Sequence, residues 1–217
     1  MANSPSNTDS SEEGTFTLLK LLNAVEADSN ITQRSAAREM GVALGLANAY
    51  VKRCVRKGWI KIHQVPTNRY TYYLTPKGFA EKSRLTAEYL NQGFKFFRVS
   101  MTELDSIYMQ CESYGWVNVA LYGLTDLTEI AVMEARRHRV TIAAIVDPLS
   151  DKKDQDGVSI VAGIDDAPSF DAIIITDTVN PQDSFDRLCR TIDAERVMTP
   201  AILQISRKSP DIRLAMK

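Results

Sequence analysis

The order of predicted elements in the first third of the chain restricts the fold more than any other feature. Apolar spacing in "TFTLLKLLNAVEA" (15–27) predicts a helix, and "NITQRSAAREM" predicts a second helix capped by Thr32. Gly41 follows, where a tight turn needs a residue that tolerates positive φ. The stretch "LGLANAYVKRCVRK" predicts a third helix, "WIKIHQV" and "RYTYYLT" predict a hairpin, and Pro76 opens a further helix. Few folds place these elements in this order.

Charge is divided unevenly along the chain. The whole chain carries a formal net charge of −1, yet residues 31–84 contain eleven Lys or Arg and two acids, a net charge of +9. Residues 86–217 contain fourteen basic and twenty acidic residues, a net charge of −6. The basic part predicts an anionic partner, and the different character of the rest predicts a second functional unit.

The element order and the charge together resemble bacterial winged helix-turn-helix transcriptional regulators, in particular the MarR-like group often linked to exopolysaccharide genes. The stretches "LGLANAYVKRCVRKGWIKI" and "NRYTYYLTPKGFAEKSRL" look like signatures of that family, and the resemblance covers residues 15–112. It implies an α+β winged helix-turn-helix DNA-binding domain over 15–84. It also implies double-stranded DNA as a partner and a homodimer that grips a palindromic site.

In such a fold the third helix enters the major groove by its amino-terminal half, where base edges are read. Asn48 is the best base reader, because an amide can pair bidentately with adenine, and the basic side chains suit phosphates. A merely solvated helix face is the alternative for any single cation. Ala43 stands where a capping hydroxyl is common, which weakens the helix start by on the order of 1 kcal/mol. The predicted DNA-binding residues are Arg34, Leu44, Gly45, Asn48, Lys52, Arg53, Arg56, Asn68, Arg69 and Tyr70.

Apolar residues with heptad spacing follow the hairpin. They run from Ala87 to Cys111 at alternating intervals of three and four, which predicts a long helix over 85–114. We expect this helix to be a linker through which two copies dimerise, and packing of the helix on its own chain is the alternative. The predicted dimer seam consists of Leu90, Phe94, Phe97, Met101, Leu104 and Tyr108.

Strands and helices alternate over 115–217, which predicts an α/β domain with a parallel sheet and helices on both faces. A strand, Gly turn, helix and strand ending in Asp147 look like the first half of a Rossmann-type fold, and resemble nucleotide-binding half-domains of enzymes that handle nucleotide sugars. Only Gly123 remains of the glycine fingerprint, and Asp126 adds a negative charge where a pyrophosphate would lie. Alternatively, Asp126 is an N-cap that forms a capping box with Glu129.

A ligand of this sensor domain would lie at the carboxyl ends of the strands. The residues predicted to bind it are Gly123, Leu124, Thr125, Asp147, Thr176 and Asp177. Asp147 suits a ribose hydroxyl, although it equally suits an Asp-Pro turn. The effector class that the resemblance favours is a nucleotide or nucleotide sugar. No His, Cys or Lys accompanies these carboxylates in sequence as a nucleophile or base would, so no catalytic residues and no enzyme are predicted.

Several other function classes are disfavoured by composition. The three cysteines lack metal-ligand or disulfide spacing, and His63 and His138 are isolated from each other, so no metal site is predicted. No apolar run of 18 residues predicts a membrane span. Residues 1–14 predict a disordered tail and no secretory signal, which favours a cytoplasmic protein.

Three functional hypotheses follow. The first is a dimeric DNA-binding regulator whose α/β domain senses a small metabolite. The second is a regulator whose α/β domain binds no ligand and serves only dimer or protein-partner contacts. The third is a nucleotide-dependent enzyme that uses the winged helix as a docking module, and nothing in the sequence requires it.

Overall fold

The structure is a computed structural model that describes residues 9–65 and 69–207; for residues 9–13, Val65 and Arg69 it describes the backbone alone. The chain divides into two compact units, the first ending at Phe94 and the second beginning at Lys95. No helix in the described part is both long and apolar enough to cross a membrane.

The first unit has the predicted order of three helices and a hairpin. It contains α1 (Asp9–Ala27), α2 (Gln33–Met40), α3 (Leu44–Lys57), β1 (Ile60–Val65), β2 (Arg69–Leu74) and the beginning of α4 (Pro76–Ser113). Strands β1 and β2 pair antiparallel. The core of this unit is formed by apolar side chains of all six elements, including Leu22, Met40, Cys54, Ile60, Tyr72 and Leu85.

Local sequence explains the boundaries of α2 and the turn after it. The Thr32 side chain accepts a hydrogen bond from the Ser35 backbone N–H at 3.1 Å, and the Ser35 hydroxyl accepts one from the Thr32 N–H at 2.9 Å. This reciprocal pair is a capping box. Gly41 ends the helix with φ of 70°, a conformation that favours glycine. Ala43 precedes α3 without a side-chain cap.

The start of α1 differs from the prediction of a disordered tail over 1–14. The helix begins at Asp9, so residues 9–14 are helical; residues 1–8 lie outside the described part. The physical reason is the acidic character of this segment. The sequence of this segment contains Asp9, Glu12 and Glu13, and acidic residues favour the amino-terminal turns of a helix.

The segment 85–114 is not a separate linker. Residues 85–113 belong to α4, a single helix of 38 residues that runs from Pro76 to Ser113, and Tyr114 lies in the turn after it. Leu85 is buried in the core of the first unit, whereas Leu104 and Tyr108 are buried in the core of the second. The two ends of the helix therefore complete two different cores, and the division between units falls within it.

The second unit is an α/β domain built on a six-stranded, mostly parallel sheet, as predicted. Its strand order is β5-β6-β4-β3-β7-β8, with β5 antiparallel to β6 and the other pairs parallel. The elements are β3 (Asn118–Tyr122), α5 (Asp126–Ala135), β4 (Thr141–Val146), β5 (Asp154–Gln155), β6 (Val158–Val161), β7 (Ala172–Ile175), α6 (Pro181–Leu188) and β8 (Val197–Met198). The short β5 was not predicted; the Asp-Gly pair between β5 and β6 is a hairpin signal.

Helices cover both faces of this sheet. On one face, Leu121 and Ile174 pack with α5 and the end of α4. On the other face, Tyr122 and Ile173 pack with Phe185 of α6. Successive residues of β3 and β7 thus point to opposite layers, which explains why these strands are apolar throughout.

Candidate nucleic-acid interface and ligand pocket

Helix α3 is held by one buried stripe, which determines the side that faces outward. Ala47, Val51 and Cys54 are buried at helical spacing. Among the predicted DNA-binding residues, Leu44 is 44% exposed and Gly45 is also exposed. Leu46, which the sequence did not single out, is 49% exposed. Such apolar side chains at the start of a recognition helix can contact thymine methyl groups. The sequence could have identified Leu46 as a candidate contact residue, because it is apolar but does not belong to the buried stripe of α3.

The predicted phosphate-binding cations are exposed and available. Lys52, Arg53 and Arg56 lie on the outward side of α3, and Arg34 is exposed on α2. Within residues 9–65 and 69–207, none of these four forms an ion pair. Arg53 interacts electrostatically with Glu81 without forming an ion pair. The positive charge of these side chains is otherwise not compensated by a paired carboxylate among the described residues, and it favours an anionic partner.

Two other cations of the basic segment are neutralised within the chain. Lys82 pairs with Glu26, and Arg84 pairs with Glu81 at 2.9 Å and with Glu88 at 2.8 Å. The hydrogen bond from Arg84 holds the pKa of Glu81 below its usual range. The charge available to a partner is thus concentrated on α2, α3 and the hairpin rather than spread over the whole segment.

Asn48 does not present both amide atoms to solvent. Its side chain is half-buried, and its Oδ1 is buried with no hydrogen-bond partner in the described structure. The cause is helical periodicity, since positions 48, 51 and 55 share one stripe and Val51 is buried. Bidentate pairing with adenine needs both amide atoms. In this rotamer Asn48 cannot make that contact, which counts against its predicted role as the main base reader.

Of the three predicted hairpin residues, the side chain of Tyr70 alone lies in the described part of the structure. Tyr70 is 52% exposed at the end of β2 nearest the turn. Asn68 lies outside the described residues, and only the backbone of Arg69, opposite Val65, is described.

The predicted dimer seam is split along α4. Leu90, Phe94 and Phe97 are 50%, 57% and 38% exposed. In contrast, Leu104 and Tyr108 have no exposed surface, and Met101 packs beside them against the core of the second unit. The Tyr108 hydroxyl donates to the Ala131 carbonyl at 2.9 Å. The prediction was therefore wrong from Met101 onward, because these residues cover the chain's own sheet.

A cavity of about 470 Å³ opens at the carboxyl ends of the parallel strands. Of the predicted ligand-binding residues, it is lined by Gly123, Leu124, Thr125, Asp147 and Asp177. The cavity is also lined by four residues of α6 and its N-cap that the sequence prediction missed: Asn180, Asp183, Ser184 and Arg187. The sequence signal that could have identified them is the Asn-Pro pair after β7, which predicts the start of a helix. A helix that starts there begins at the carboxyl ends of the strands, where the pocket lies.

The backbone of the turn after β3 is already hydrogen-bonded within the chain. The Gly123 N–H donates to the Val146 carbonyl at 2.9 Å. The Leu124 N–H donates to the Asp147 carboxylate at 2.7 Å, and the Thr125 N–H donates to the Thr128 hydroxyl at 2.9 Å. A phosphate bound in the Rossmann manner needs such N–H groups free. The Asp147 carboxylate instead occupies an N–H that would face the anion.

The capping prediction for α5 needs a correction. Thr125, not Asp126, is the N-cap, and Thr128 rather than Glu129 completes the capping box. The hydroxyl of threonine suffices for this role because Thr125 has the extended conformation of an N-cap. Asp126 is therefore the first residue of the helix and is exposed.

The backbone geometry of the turn after β3 requires glycine at position 123. Its φ is +97°, and a Cβ there would lie 2.6 Å from the Cβ of Asp177. Thr176 does not face the pocket: it is fully buried, and its hydroxyl donates to the Gly123 carbonyl at 2.7 Å. These contacts tie the end of β7 to the turn after β3.

Asp177 is held as a carboxylate by its neighbours. Burial raises its pKa, but hydrogen bonds from the Ser184 hydroxyl at 2.7 Å and from the Asn180 and Val179 N–H groups outweigh burial, so the pKa lies below its ordinary value. The pocket thus combines fixed negative charge with one cation, Arg187.

Comparison with known protein families finds one match in the first unit. The model of the winged helix-turn-helix DNA-binding family matches residues 17–61, from within α1 to the beginning of β1. The chain therefore contains a winged helix-turn-helix DNA-binding domain, with DNA as its partner. No curated protein matches the chain.

Proposed function

We propose that the protein is a dimeric, sequence-specific transcriptional regulator of the MarR-like type whose α/β unit senses a small metabolite. The observation that carries the DNA-binding part is the set of exposed, unpaired cations on α2 and α3 within a matched winged helix-turn-helix domain. Phosphate contacts of this kind position a recognition helix, while the exposed Leu44 and Leu46 reach the groove. The sequence resemblance adds control of exopolysaccharide genes as the proposed context.

Dimerisation through α4 is supported by the exposed part of the heptad seam. Leu90, Phe94 and Phe97 recur at intervals of four and three, and Tyr89 beside them is 47% exposed. Apolar side chains clustered on one surface of a water-soluble domain mark an interaction site. A second copy is the partner that suits a winged helix, because two recognition helices on one palindromic site double the readout.

Metabolite sensing is supported by the position and size of the pocket. Counting the parallel strands along the chain, their spatial order is 3-2-1-4-5, the order of the Rossmann fold. The pocket lies at the carboxyl ends of β3 and β7, where that order reverses, and its volume is within the usual range for small-molecule sites. We propose a nucleotide or nucleotide sugar as the ligand class.

A second candidate has its own support. The N–H groups of Gly123, Leu124 and Thr125 are satisfied within the chain. A unit that supplies its own carboxylate at this turn can be stable without a ligand and serve only dimer or partner contacts. We propose no enzymatic activity in either case, since no His, Cys or Lys is among the described pocket residues.

The first experiment is DNA binding to the protein's own promoter region at two salt concentrations, with unrelated DNA of equal length as competitor. A specific regulator should prefer its promoter by a factor of about 10³ or more. Equal and strongly salt-dependent binding to both DNAs would reject sequence-specific regulation and leave only an electrostatic interaction.

Thermal unfolding with added nucleotides separates the two candidates. A ligand present at 100 times its Kd adds about 2.7 kcal/mol of stability. A nucleotide that stabilises the second unit would support the sensor. If a panel of nucleotides and nucleotide sugars leaves its unfolding unchanged, the ligand-free candidate replaces it.

A further inference from the structure

A cluster of metal-binding side chain types lies in the second unit, apart from the pocket. Asp105 and Glu112 project from α4, Glu134 lies at the end of α5, and His138 follows in the turn after that helix. The turn is continuous with α5, since the Arg137 N–H donates to the Glu134 carbonyl at 2.9 Å and the His138 N–H to the Ala135 carbonyl at 3.0 Å. Glu134 and His138 therefore project to the same side.

His138 has a buried nitrogen that forms no hydrogen bond within the described structure. Its side chain is only 8% exposed, and Nε2 has no hydrogen-bond partner in the described structure. Nε2 lies 3.2 Å from Asp105 Oδ1 and 3.7 Å from Glu134 Oε1. A buried polar atom without a hydrogen bond destabilises the folded state, so a group that binds this nitrogen would stabilise the fold.

The spacing of the three ligand atoms fits a small divalent ion. One ligand atom from each of Asp105, Glu134 and His138 lies within 4.8 Å of the other two. A tetrahedral Zn²⁺ with bonds of about 2.0 to 2.2 Å separates its ligand atoms by roughly 3.4 Å. The two distances from Nε2 fall on either side of that value, so small side-chain rotations would suffice for coordination.

The charges around the cluster also favour a cation. The Glu134 side chain has no exposed surface. Apart from His138, its only ion-pair partner among the described residues is Arg137, whose Nη1 lies 3.0 Å from Glu134 Oε1. Asp105 and Glu112 add two more carboxylates against that single Arg. Glu112 Oε1 lies 3.7 Å from His138 Nδ1, on the opposite side of the ring from Nε2. When a metal ion binds Nε2, the imidazole proton is on Nδ1, where the Glu112 carboxylate can stabilise it.

We propose that Asp105, Glu134 and His138 form a binding site for a divalent transition-metal ion of the Zn²⁺ type. One imidazole and two carboxylates suit such an ion, and three protein ligands leave a further coordination position for water. Sequence reasoning predicted no metal site because the two histidines are isolated. The site needs only one histidine, and its carboxylates come from two helices.

The test is calorimetric titration of Zn²⁺ into the full-length protein after removal of bound metal with a chelator. We expect one equivalent of Zn²⁺ to bind at pH 7. His138→Gln and Asp105→Asn should each weaken binding at least tenfold. His63→Gln is the matched control, because His63 is the only other histidine and is exposed in the first unit; its affinity should equal that of the wild type.

Either of two results would overturn the site. One is wild-type protein that binds no Zn²⁺ at micromolar concentrations, in which case His138 is simply surrounded by carboxylates. The other is binding that Asp105→Asn leaves unchanged. Asp105 is 44% exposed, so this variant should fold even where His138→Gln does not. Neither result depends on DNA or nucleotide binding, so the proposed function and the metal site succeed or fail separately.

Discussion

Replacing Gly78 by alanine should disrupt the junction between the hairpin and α4. A Cβ at this position would lie 2.0 Å from the carbonyl oxygen of Trp59 and 2.9 Å from its carbonyl carbon. These are backbone atoms, so no side-chain rotation relieves the contact. The oxygen is moreover fixed, because it accepts the Thr75 backbone N–H at 3.0 Å.

The expected magnitude follows from opposing contributions. Relieving the contact requires a shift of about 1 Å in α4 or loss of the Thr75 hydrogen bond, and such overpacking costs about 1 to 3 kcal/mol. Alanine gains about 1 kcal/mol over glycine in a helix, and a lost hydrogen bond adds about 1 kcal/mol to the cost. We expect Gly78→Ala to lower the free energy of unfolding of the first unit by about 1 to 3 kcal/mol.

Gly93→Ala is the matched control in the same helix. No atom lies within 4 Å of a Cβ at Gly93, and the residue is exposed. Only the propensity gain applies there, so this variant should stabilise the first unit by about 0.5 to 1 kcal/mol.

Tryptophan fluorescence allows the first unit to be followed alone. The chain has two tryptophans, the buried Trp59 in the first unit and Trp116 in the second. Urea unfolding in a Trp116→Phe background therefore reports on Trp59. A Gly78→Ala protein at least as stable as its parent, or a Gly93→Ala protein that loses stability equally, would refute the close approach of α4 to Trp59.

Three further predictions concern charge and assembly. Lys52→Ala should weaken binding to all DNA and reduce the slope of log affinity against log salt by about one. The control is Lys152→Ala, at an exposed lysine of the second unit, which should leave both the affinity and the slope unchanged. An unchanged slope in Lys52→Ala would remove Lys52 from the phosphate contacts. Phe97→Glu should convert the proposed dimer to a monomer, as measured by sedimentation. The control is Met109→Glu, since Met109 is also exposed on α4 and lies outside the exposed part of the seam. Equal dimer content in the two variants would show that Phe97 is not in the dimer interface. The Asp171 carboxylate accepts the Asn118 and Val117 N–H groups, which holds its pKa below the usual value. Its stabilisation is therefore present above its unfolded pKa of about 3.9 and is lost as pH falls through the lower folded pKa. The stability difference between wild type and Asp171→Asn should accordingly shrink below pH 4, and a difference independent of pH would contradict the assignment.

The parts of the fold that sequence predicted well are those determined by neighbouring residues. The Thr32 cap, the Gly41 turn and the hairpin depend on signals within a few positions, and the structure confirms all three. The family match over 17–61 covers the cap and the turn. The heptad seam was less informative, because spacing shows that a helix face is apolar but not what covers it. Leu104 therefore had the same pattern as Phe97 and a different environment.

Residues that meet only through the tertiary fold were the ones missed. Arg187 reaches the pocket because β7 lies beside β3 in the sheet, an order that no local pattern specifies. The cluster around His138 joins two helices, and its members Asp105 and Glu134 are 29 positions apart in the sequence. In both cases the residue types were visible in sequence, but their proximity was not.

The Asp147 carboxylate allows a test of whether the turn after β3 can accept a phosphate group. Its Oδ2 accepts the Leu124 N–H and its Oδ1 accepts the Leu149 N–H at 2.9 Å, so Asp147→Ala should destabilise the unit by about 2 to 3 kcal/mol.

The same change frees the Leu124 N–H and removes a negative charge from the turn. Two like unit charges about 4 Å apart repel each other by about 1 kcal/mol in bulk water and by about 4 kcal/mol near a protein surface. We therefore expect Asp147→Ala to bind ADP at least tenfold more tightly than wild type in equilibrium dialysis. Asp183→Ala, which removes a carboxylate elsewhere in the same pocket, is the control. If both variants gain ADP affinity equally, the gain is caused by the net charge of the pocket. If neither variant gains affinity, the turn after β3 does not accept phosphate even when the Leu124 N–H is free. That result would favour the ligand-free candidate over the sensor.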